Sequence, residues 1–144
     1  MDKKTWEDAK IGEDLGSVQY RLTSENISRH LRAIEDYNPW YVQESPFGGP
    51  IAPPLITANE YVKLYYINSG YLRGGDYHAK MEQETIRPPH HGELITARGR
   101  IADKYVRRGR KYIILETVVT GEDGMEIARN KTTLASIKKL PEDF

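Results

Sequence analysis

The sequence contains no cysteine among its 144 residues. This absence excludes disulfides, thiolate nucleophiles and zinc sites built on cysteine, and it is compatible with a reducing compartment. Long apolar runs are also missing, since no segment approaches the ~20 consecutive apolar residues that span a bilayer. The N-terminus, MDKKTWEDAK, is charged and lacks the apolar stretch typical of a secretory signal. We therefore expect a cytoplasmic protein with no membrane partner.

An excess of charge of either sign is missing as well. The 21 basic and 21 acidic side chains balance to a formal net charge of +0 at pH 7. Nucleic acids and anionic membrane surfaces attract basic proteins, so this balance favours neither as a partner. With 38% hydrophobic residues, a chain of this length is expected to fold as one globular domain over residues 1–144.

The stretch 36–70 combines an irregular loop with an apolar helix. Pairs that disfavour helix or need special backbone angles mark the loop, namely Asn38-Pro39, Ser45-Pro46, Gly48-Gly49-Pro50 and Pro53-Pro54. From 55 to 68 nearly every residue is apolar or aromatic, with Glu60 and Lys63 as the only charges, and this pattern predicts a buried helix. Pro54 suits its first turn, and Gly70 suits the left-handed residue after its end.

A loop of about fifteen residues that leads directly into a central helix is uncommon in a compact domain unless it has a function. The N-terminus of the helix would place free N–H groups and a partial positive charge beside Asp36, Asn38 and Tyr41. Such a place could hold a carbonyl oxygen. The alternative interpretation is a rigid connector, because Pro and Gly do the same work in structural loops.

The segment before this stretch predicts an edge strand and a short helix. Residues 18–22 alternate between apolar and polar, as in a half-buried strand. Thr23 or Ser24 can cap the helix that follows. The apolar stripe of that helix consists of Ile27, Leu31 and Ile34.

After the central helix, the hydrophobic period becomes that of strands. Four strands are predicted, approximately from Tyr77 to Ile86, Glu93 to Val106, Arg110 to Thr120 and Glu126 to Lys138. Short turns between them indicate an antiparallel meander. The strand 110–120 is apolar on both faces, so it is predicted to be central, with the buried helix on one side.

Two further clusters allow either a binding role or a plain structural one. A cationic cluster at a predicted hairpin tip consists of Arg107, Arg108, Arg110 and Lys111. It could reach a phosphate, although solvated turn charges are the commoner explanation. His90 and His91 are adjacent and have no third ligand nearby, so no metal site is predicted, but either could approach a ligand.

Three local motifs resemble those of a known family. The stretch Asp36-Tyr37-Asn38-Pro39-Trp40-Tyr41 is similar to a D-x-N-P-x-H loop, and Gly48-Gly49-Pro50-Ile51-Ala52-Pro53-Pro54 is similar to a G-x-x-I-A-x-G segment. Residues 86–93, IRPPHHGE, are similar to an F-x-x-P-V-x-x-G-D segment. These motifs and the order of elements resemble the MaoC-like acyl dehydratases, and in particular the branch called the FAS1-like or MaoC N-terminal dehydratase domain. The resemblance implies an α+β hotdog fold, in which an antiparallel β-sheet wraps around a long central helix.

In that family, water is added to or removed from the 2,3 double bond of an acyl thioester. The resemblance places the family's acidic residue at Asp36, its asparagine at Asn38 and its catalytic histidine at Tyr41. A tyrosine with a pKa of ~10 is only about a thousandth ionised at pH 7, so Tyr41 can donate a hydrogen bond but is a poor base.

The resemblance also implies which residues hold the substrate. Besides Asn38 they are the residues that lead into the central helix, Gly49, Pro50, Ile51, Ala52, Pro54 and Leu55. No cofactor is expected apart from the coenzyme A or phosphopantetheine that forms part of the substrate.

Three hypotheses follow from Tyr41. The leading one is an acyl-thioester hydratase/dehydratase fold with an incomplete catalytic set, which binds the substrate while a second MaoC-like hotdog subunit carries the histidine. The second is a self-sufficient hydratase or thioesterase that uses Asp36. The third is a non-catalytic acyl-CoA binding or sensor protein. In the resembling family the subunits pair, so a homodimer or a heterodimer is expected.

Overall fold

A computed structural model of the chain describes residues 3–139. The strands are β1 (Asp14–Arg21), β2 (Asp76–Thr85), β3 (Leu94–Arg107), β4 (Arg110–Thr120) and β5 (Glu126–Ser136). Helix α1 spans Ser24–Ile34, and 3-10 turns span Trp6–Asp8, Pro39–Tyr41 and Pro54–Thr57. None of the helices within residues 3–139 is long and apolar enough to cross a membrane.

The five strands form one antiparallel sheet in the order β1-β3-β4-β5-β2. The predicted strands and the central position of β4 are confirmed. The predicted meander is confirmed for β3 to β5, but it is wrong for β2, which pairs with β5 and not with β3. The reason is the longer connection 86–93, which lets the chain pass β5 and β4 before it forms β3.

Helix α1 begins where the sequence predicted. The Thr23 side chain accepts a hydrogen bond from the N–H of Asn26 at 3.1 Å and so caps the helix. Ile27 and Leu31 are buried, but Ile34 is 49% exposed. The predicted apolar stripe is therefore wrong in its last turn. The helix ends there, because the next residue, Glu35, has left-handed backbone angles.

The segment 54–68, which we call the central helix, is not one regular α-helix. It begins as the 3-10 turn Pro54–Thr57, and Val62–Asn68 winds as a wider π-helix. The wider winding suits the bulky rings, since Tyr61 and Tyr66, five positions apart, lie with their centroids 6.5 Å from each other. The predicted Pro54 in the first turn and the left-handed Gly70 after the end are both confirmed.

The central helix packs closely on the sheet through Leu64. This side chain is fully buried and lies against Gly99 of β3. A Cβ atom on Gly99 would stand 2.9 Å from Leu64 Cδ1, which is closer than carbon atoms pack. The glycine is therefore what allows the helix to approach the strand.

Some apolar residues of the central helix are left uncovered in the single chain. Leu55 is 59% exposed and Ile67 is 70% exposed, while Val62 is half-buried. The prediction of a helix buried on nearly all sides is therefore wrong at these positions. An apolar pattern shows that a surface avoids water, but it does not show whether the chain itself or another chain covers that surface.

Candidate functional site

The loop after α1, which we call the site loop (residues 36–53), begins with two short side-chain caps. The Asp36 carboxylate accepts a hydrogen bond from the N–H of Asn38 at 3.2 Å. The Oδ1 atom of Asn38 accepts one from the N–H of Trp40 at 3.0 Å. Short Asp and Asn side chains commonly stabilise turns in this way. The 3-10 turn that results carries Tyr41 inwards, where it is only 8% exposed.

The second half of the site loop is closed by Ser45. Its hydroxyl donates to the carbonyl oxygen of Gly49 at 2.6 Å and accepts from the N–H of Phe47 at 3.2 Å. The N–H of Gly49 donates in turn to the Glu44 carboxylate at 2.8 Å. This turn places the Phe47 ring edge-on to Trp40, with the ring centroids 6.5 Å apart. Both polar groups of the Gly49 backbone are therefore used within the loop.

The site loop is hydrogen-bonded to the connection between β2 and β3. The N–H of Ala52 donates to the carbonyl oxygen of Pro89 at 2.7 Å, and Ile51 forms an isolated β-bridge with His90. The N–H of Ile51 also donates to the carbonyl oxygen of Trp40 at 2.9 Å. The motifs that resemble the family, distant in sequence, are therefore neighbours in the fold.

A groove with an empty volume of ≈ 680 Å³ lies where these two segments meet. We call it the site groove, and its walls are mainly apolar. From the site loop and the central helix, its walls receive Asn38, Trp40, Tyr41, Phe47, Ile51 and Pro54. From the end of β2 and the connection, they receive Thr85, Ile86, Arg87 and Pro88.

The structure brings some of the predicted site residues together and separates others. Asn38, Tyr41, Ile51 and Pro54 line the site groove. The remaining predicted residues lie outside its walls, and they are Asp36, Gly49, Pro50, Ala52 and Leu55. Among these, Ala52 is fully buried and Leu55 faces solvent. A direct role in substrate binding or catalysis stays a prediction for every one of these residues.

The start of the central helix differs from the oxyanion-binding end that the sequence suggested. Pro53 and Pro54 have no N–H group, and the N–H of Ile56 is bonded to the carbonyl oxygen of Pro53 at 3.0 Å. A single 3-10 turn also carries only a small aligned dipole. This geometry does not support a row of free N–H groups facing a thioester carbonyl.

Tyr41 is held in its protonated form. Burial raises the pKa of Tyr41 above its usual value, and the negative charge of nearby Asp36, together with hydrogen bonding to its carboxylate, raises it further. These effects disfavour the tyrosinate, so the hydroxyl keeps its proton at neutral pH. Tyr41 is therefore a hydrogen-bond donor at the groove wall and does not act as a base there.

Arg87 at the groove wall is paired with Glu93. Two hydrogen bonds of 3.0 and 2.6 Å join the guanidinium to the carboxylate. The carboxylate also accepts from the N–H groups of His90 and Glu122, each at 3.0 Å. Burial alone would raise the pKa of Glu93, but these hydrogen bonds and the charge of Arg87 outweigh burial and lower the pKa to about 2. The ion pair is therefore charged at any physiological pH.

His90 and His91 use their ring nitrogens within the protein. The Nε2 atom of His91 lies 2.7 Å from the carbonyl oxygen of Tyr41, and its Nδ1 atom lies 2.9 Å from the Ser24 hydroxyl. The Nε2 atom of His90 lies 2.9 Å from the carbonyl oxygen of Phe47. A carbonyl oxygen only accepts, so each Nε2 is a donor. These nitrogens are therefore occupied by the site loop.

The cationic cluster at the turn between β3 and β4 is partly used for structure. Arg110 donates to the carbonyl oxygens of Ser136 and Ile137 at 2.8 and 2.9 Å, and Lys111 pairs with Glu7. The structural interpretation is thereby supported for two of its members. In the part of the chain that the structure describes, no group of three His, Cys, Asp or Glu side chains could hold a metal ion.

Sequence reasoning named no groove residue at the end of β2 and passed over two aromatic residues of the loop. Trp40, Phe47, Ile86 and Arg87 all line the groove. A usable signal existed, since Ile86 and Arg87 belong to the family-like segment 86–93, and Trp40 and Phe47 lie in the same loop as Asn38 and Tyr41.

The sheet folded over the central helix, together with the groove between these motifs, defines a hotdog protein of the MaoC-like dehydratase class. The sequence profile described as FAS1-like, dehydratase domain region, matches residues 9–130. The chain belongs to this family.

Solved structures of low sequence identity share the fold. A monoamine oxidase regulatory protein from Archaeoglobus fulgius superposes with a TM-score of 0.79 at 17% identity, over 98% of this chain and 100% of that chain. The (R)-hydratase from A. caviae involved in PHA biosynthesis gives 0.75 at 16% identity, over 93% and 98%. A MaoC-like dehydratase from Rhodospirillum rubrum gives 0.73 at 21% identity, over 94% and 97%.

Some similar structures are complexes of two hotdog subunits. The C-terminally truncated HadBC (3R-hydroxyacyl-ACP dehydratase) complex from Mycobacterium tuberculosis gives a TM-score of 0.67 at 19% identity, over 88% of this chain and 100% of that chain. The ChsH1-ChsH2 complex from the same organism gives 0.69 at 12% identity, over 88% and 98%. No curated protein matches the chain by sequence.

Proposed function

We propose that this chain is the acyl-binding subunit of a hydratase/dehydratase for acyl thioesters, and that a second hotdog subunit supplies the catalytic histidine. One observation carries the proposal: the site groove contains a buried, protonated tyrosine, Tyr41, where the resembling family has its histidine. The similar structures include an (R)-hydratase and a 3R-hydroxyacyl-ACP dehydratase, which supports the reaction class.

The chemistry of the groove walls favours the acyl part of the substrate. Trp40, Phe47 and Ile86 offer apolar and aromatic surface to a hydrocarbon chain. Arg87 is the one cation among the described groove residues, and Glu93 neutralises it. The phosphates of coenzyme A or phosphopantetheine would therefore lie outside this groove.

Hydration adds a hydroxyl group to C3 and a proton to C2 of a 2-enoyl thioester, and dehydration reverses both steps. A base must take the proton from water, and hydrogen-bond donors must stabilise the charge that develops on the thioester oxygen. The Tyr41 hydroxyl and the Asn38 amide, both at the groove wall, can act as donors. Neither is a base at neutral pH, so the base is assigned to the partner subunit.

Pairing is supported by two kinds of observation. The HadBC and ChsH1-ChsH2 structures show that related folds assemble with a second, different chain. In this chain, Leu55 and Ile67 expose apolar surface on the central helix. A second hotdog subunit would cover such surface.

The test compares the purified chain with and without a D-x-N-P-x-H hotdog protein from the neighbouring reading frame. Alone, the chain should bind trans-2-octenoyl-CoA in a calorimeter but hydrate it slowly, because general base catalysis is typically worth ~10²–10⁴-fold. Addition of the partner should restore hydration, measured by loss of enoyl absorbance. Native mass spectrometry of the same mixture should show the pair.

Variants distinguish the roles of the two predicted catalytic residues. Asp36→Ala should lower the activity of the pair only slightly, since the proposal assigns the catalytic base to the partner subunit. Tyr41→Phe should weaken binding by about fivefold, as expected for the loss of one hydrogen bond. Tyr37→Phe is the matched control, because Tyr37 is 78% exposed and does not line the groove.

Other outcomes would replace the proposal. Fast hydration by the isolated chain, abolished by Asp36→Ala, would show a self-sufficient hydratase in which Asp36 is the base. Release of free thiol from octanoyl-CoA by the isolated chain would show a thioesterase. Tight binding without turnover, whichever hotdog partner is added, would show an acyl-CoA binding or sensor protein.

A further inference from the structure

The connection between β2 and β3 contains a segment, residues 87–93, that touches the site loop at several points. We call it the clasp. It contains both histidines of the His90-His91 pair, and each ring donates to the carbonyl oxygen of a different groove residue. The Nε2 atom of His91 lies 2.7 Å from the carbonyl oxygen of Tyr41, and the Nε2 atom of His90 lies 2.9 Å from that of Phe47. Tyr41 and Phe47 are both aromatic residues of the groove walls.

In each histidine, Nε2 is positioned to donate a hydrogen bond to a backbone carbonyl oxygen of the site loop. The Nε2 atom of His90 faces the carbonyl oxygen of Phe47, which only accepts, so Nε2 carries a proton, while Nδ1 lies between an Arg87 nitrogen at 3.5 Å and the Glu93 carboxylate at 3.6 Å. The Nδ1 atom of His91 is bonded to the hydroxyl of Ser24, the first residue of α1, at 2.9 Å. His91 thereby connects α1, the clasp and the turn that ends at Tyr41. Both rings are only half-buried, so burial does not explain their positions.

The base of the clasp is rigid. The Arg87–Glu93 ion pair joins its two ends, and the same carboxylate accepts a hydrogen bond from the N–H of His90. The carbonyl oxygen of Pro89 accepts a hydrogen bond from the N–H of Ala52 at 2.7 Å. A side chain whose own support is fixed by hydrogen bonds can position a neighbouring group with precision.

We propose that His90 and His91 are positioning residues that hold the two aromatic walls of the site groove at their proper spacing. Neither histidine acts on the substrate itself, since the donor nitrogen of each is bonded to a backbone carbonyl. The anchoring of the loop stands independently of any activity. Its effect on ligand binding rests on the proposed function, because a groove that binds acyl chains loses affinity when its walls move.

The test uses pairs of amide variants of different reach. The amide nitrogen of Gln reaches the position of Nε2, whereas that of Asn ends near Nδ1. His91→Asn should therefore release the carbonyl oxygen of Tyr41, and His91→Gln should keep it. Amide hydrogen exchange followed by NMR at Gln43 and Ile51, which are bonded to Pro39 and Trp40, should become about fivefold faster in His91→Asn. His91→Gln should exchange like the wild type.

His90→Asn and His90→Gln form the second pair, read at the amides of Phe47 and Gly49, and they decide the question if His91→Asn does not fold. His30→Gln is the control, since His30 lies on α1 and lines neither the clasp nor the site groove. Amides of β4 are the internal reference, and their exchange should be the same in every variant.

The outcomes separate the clasp from the proposed function. Faster loop exchange in the Asn variants, with about fivefold weaker binding of trans-2-octenoyl-CoA and rescue of both by Gln, would support both. Faster exchange in the Asn variants of a protein that binds no acyl-CoA even as wild type would keep the clasp and remove the proposed function. Loop exchange that is unchanged in the Asn variants, or equal in Asn and Gln variants, would overturn the clasp whatever the activity.

Discussion

The ion pair between Arg87 and Glu93 should make the stability of the fold depend on acid pH. The pKa of Glu93 is lowered from its usual 4.5 to about 2 by hydrogen bonds that outweigh burial. A depressed carboxyl pKa contributes stability that is fully present above pH 4.5 and is lost as the pH falls through about 2. The contribution at pH 7 is at most ~3 kcal/mol. Urea unfolding at a series of pH values measures this loss.

Two variants isolate that contribution. Glu93→Gln should lower the free energy of unfolding at pH 7 by about 3 kcal/mol or more, because it leaves the Arg87 guanidinium without its partner. The double variant Arg87→Met with Glu93→Met removes both charges, so it should lose less stability on acidification, although it leaves the N–H groups of His90 and Glu122 without their acceptor. Equal acid sensitivity in the wild type and the double variant would assign the effect to other carboxylates.

Position 121 requires a glycine because a larger side chain would displace the same ion pair, and not because of its backbone angles. An added Cβ atom there would collide with the Arg87 guanidinium and would lie 2.5 Å from the Glu93 carboxylate. Gly121→Ala should therefore cost about 2 kcal/mol by displacing the pair. Gly75→Ala is the matched control, since nothing lies within 4 Å of its added Cβ atom and it should melt like the wild type. Thermal unfolding of both variants provides the comparison.

Among the residues predicted for the site, some line the groove and others do not, and their roles stay predictions. Asn38 and Tyr41 were found through the motif, and both line the groove. The roles of His90 and His91 could not be predicted, because their partners are backbone carbonyl oxygens, and every residue has one. Arg87 escaped notice for a similar reason, since its pairing with Glu93 depends on a turn whose shape the local pattern does not determine.

The central helix should be sensitive to substitution on one side only. Leu64 is fully buried against Gly99, so Leu64→Ala should lower the free energy of unfolding by ~3 kcal/mol, within the range for buried leucines. Val62 is half-buried, and Val62→Ala should cost ~1 kcal/mol or less in the isolated chain. Chemical denaturation measures both. A larger loss of stability at Val62 than at Leu64 would show that Val62, and not Leu64, faces the sheet.

Hydrophobic period and turn chemistry were sufficient to predict the strands, α1 and the extent of the central helix. They did not predict that β2 pairs with β5, because the pattern of a strand shows which face is buried and not which strand lies beside it. The π-helical winding of Val62–Asn68 was also beyond prediction. It depends on how Tyr61, Tyr65 and Tyr66 pack together, which is a tertiary property.

For the molecule as a whole, we expect association in solution. The exposed side chains of Leu55 and Ile67 leave apolar surface on the central helix that a partner would cover. Sedimentation at micromolar concentration should show a dimer of this chain, or a pair with its hotdog partner. A compact monomer with no partner bound would contradict this expectation.

A pair of substitutions tests where the association surface lies. Leu55→Lys combined with Ile67→Lys should shift the sedimentation equilibrium toward the monomer, because lysine is poorly tolerated in the core of an interface. Ile11→Lys is the matched control, since Ile11 is 61% exposed but precedes β1 and is not part of the central helix. Equal effects of the pair and the control would place the surface elsewhere.

The order of the strands also determines when the fold can be completed during synthesis. In the described sheet, β2 is hydrogen-bonded to β5 alone, and β5 is the last strand to leave the ribosome. At typical synthesis rates, roughly several seconds pass between the synthesis of β2 and that of β5. During that time the charged residues of β2, which include Lys80, Glu82 and Glu84, discourage pairing with other nascent chains. Side chains that protect the edge of the finished sheet therefore also protect the unfinished one.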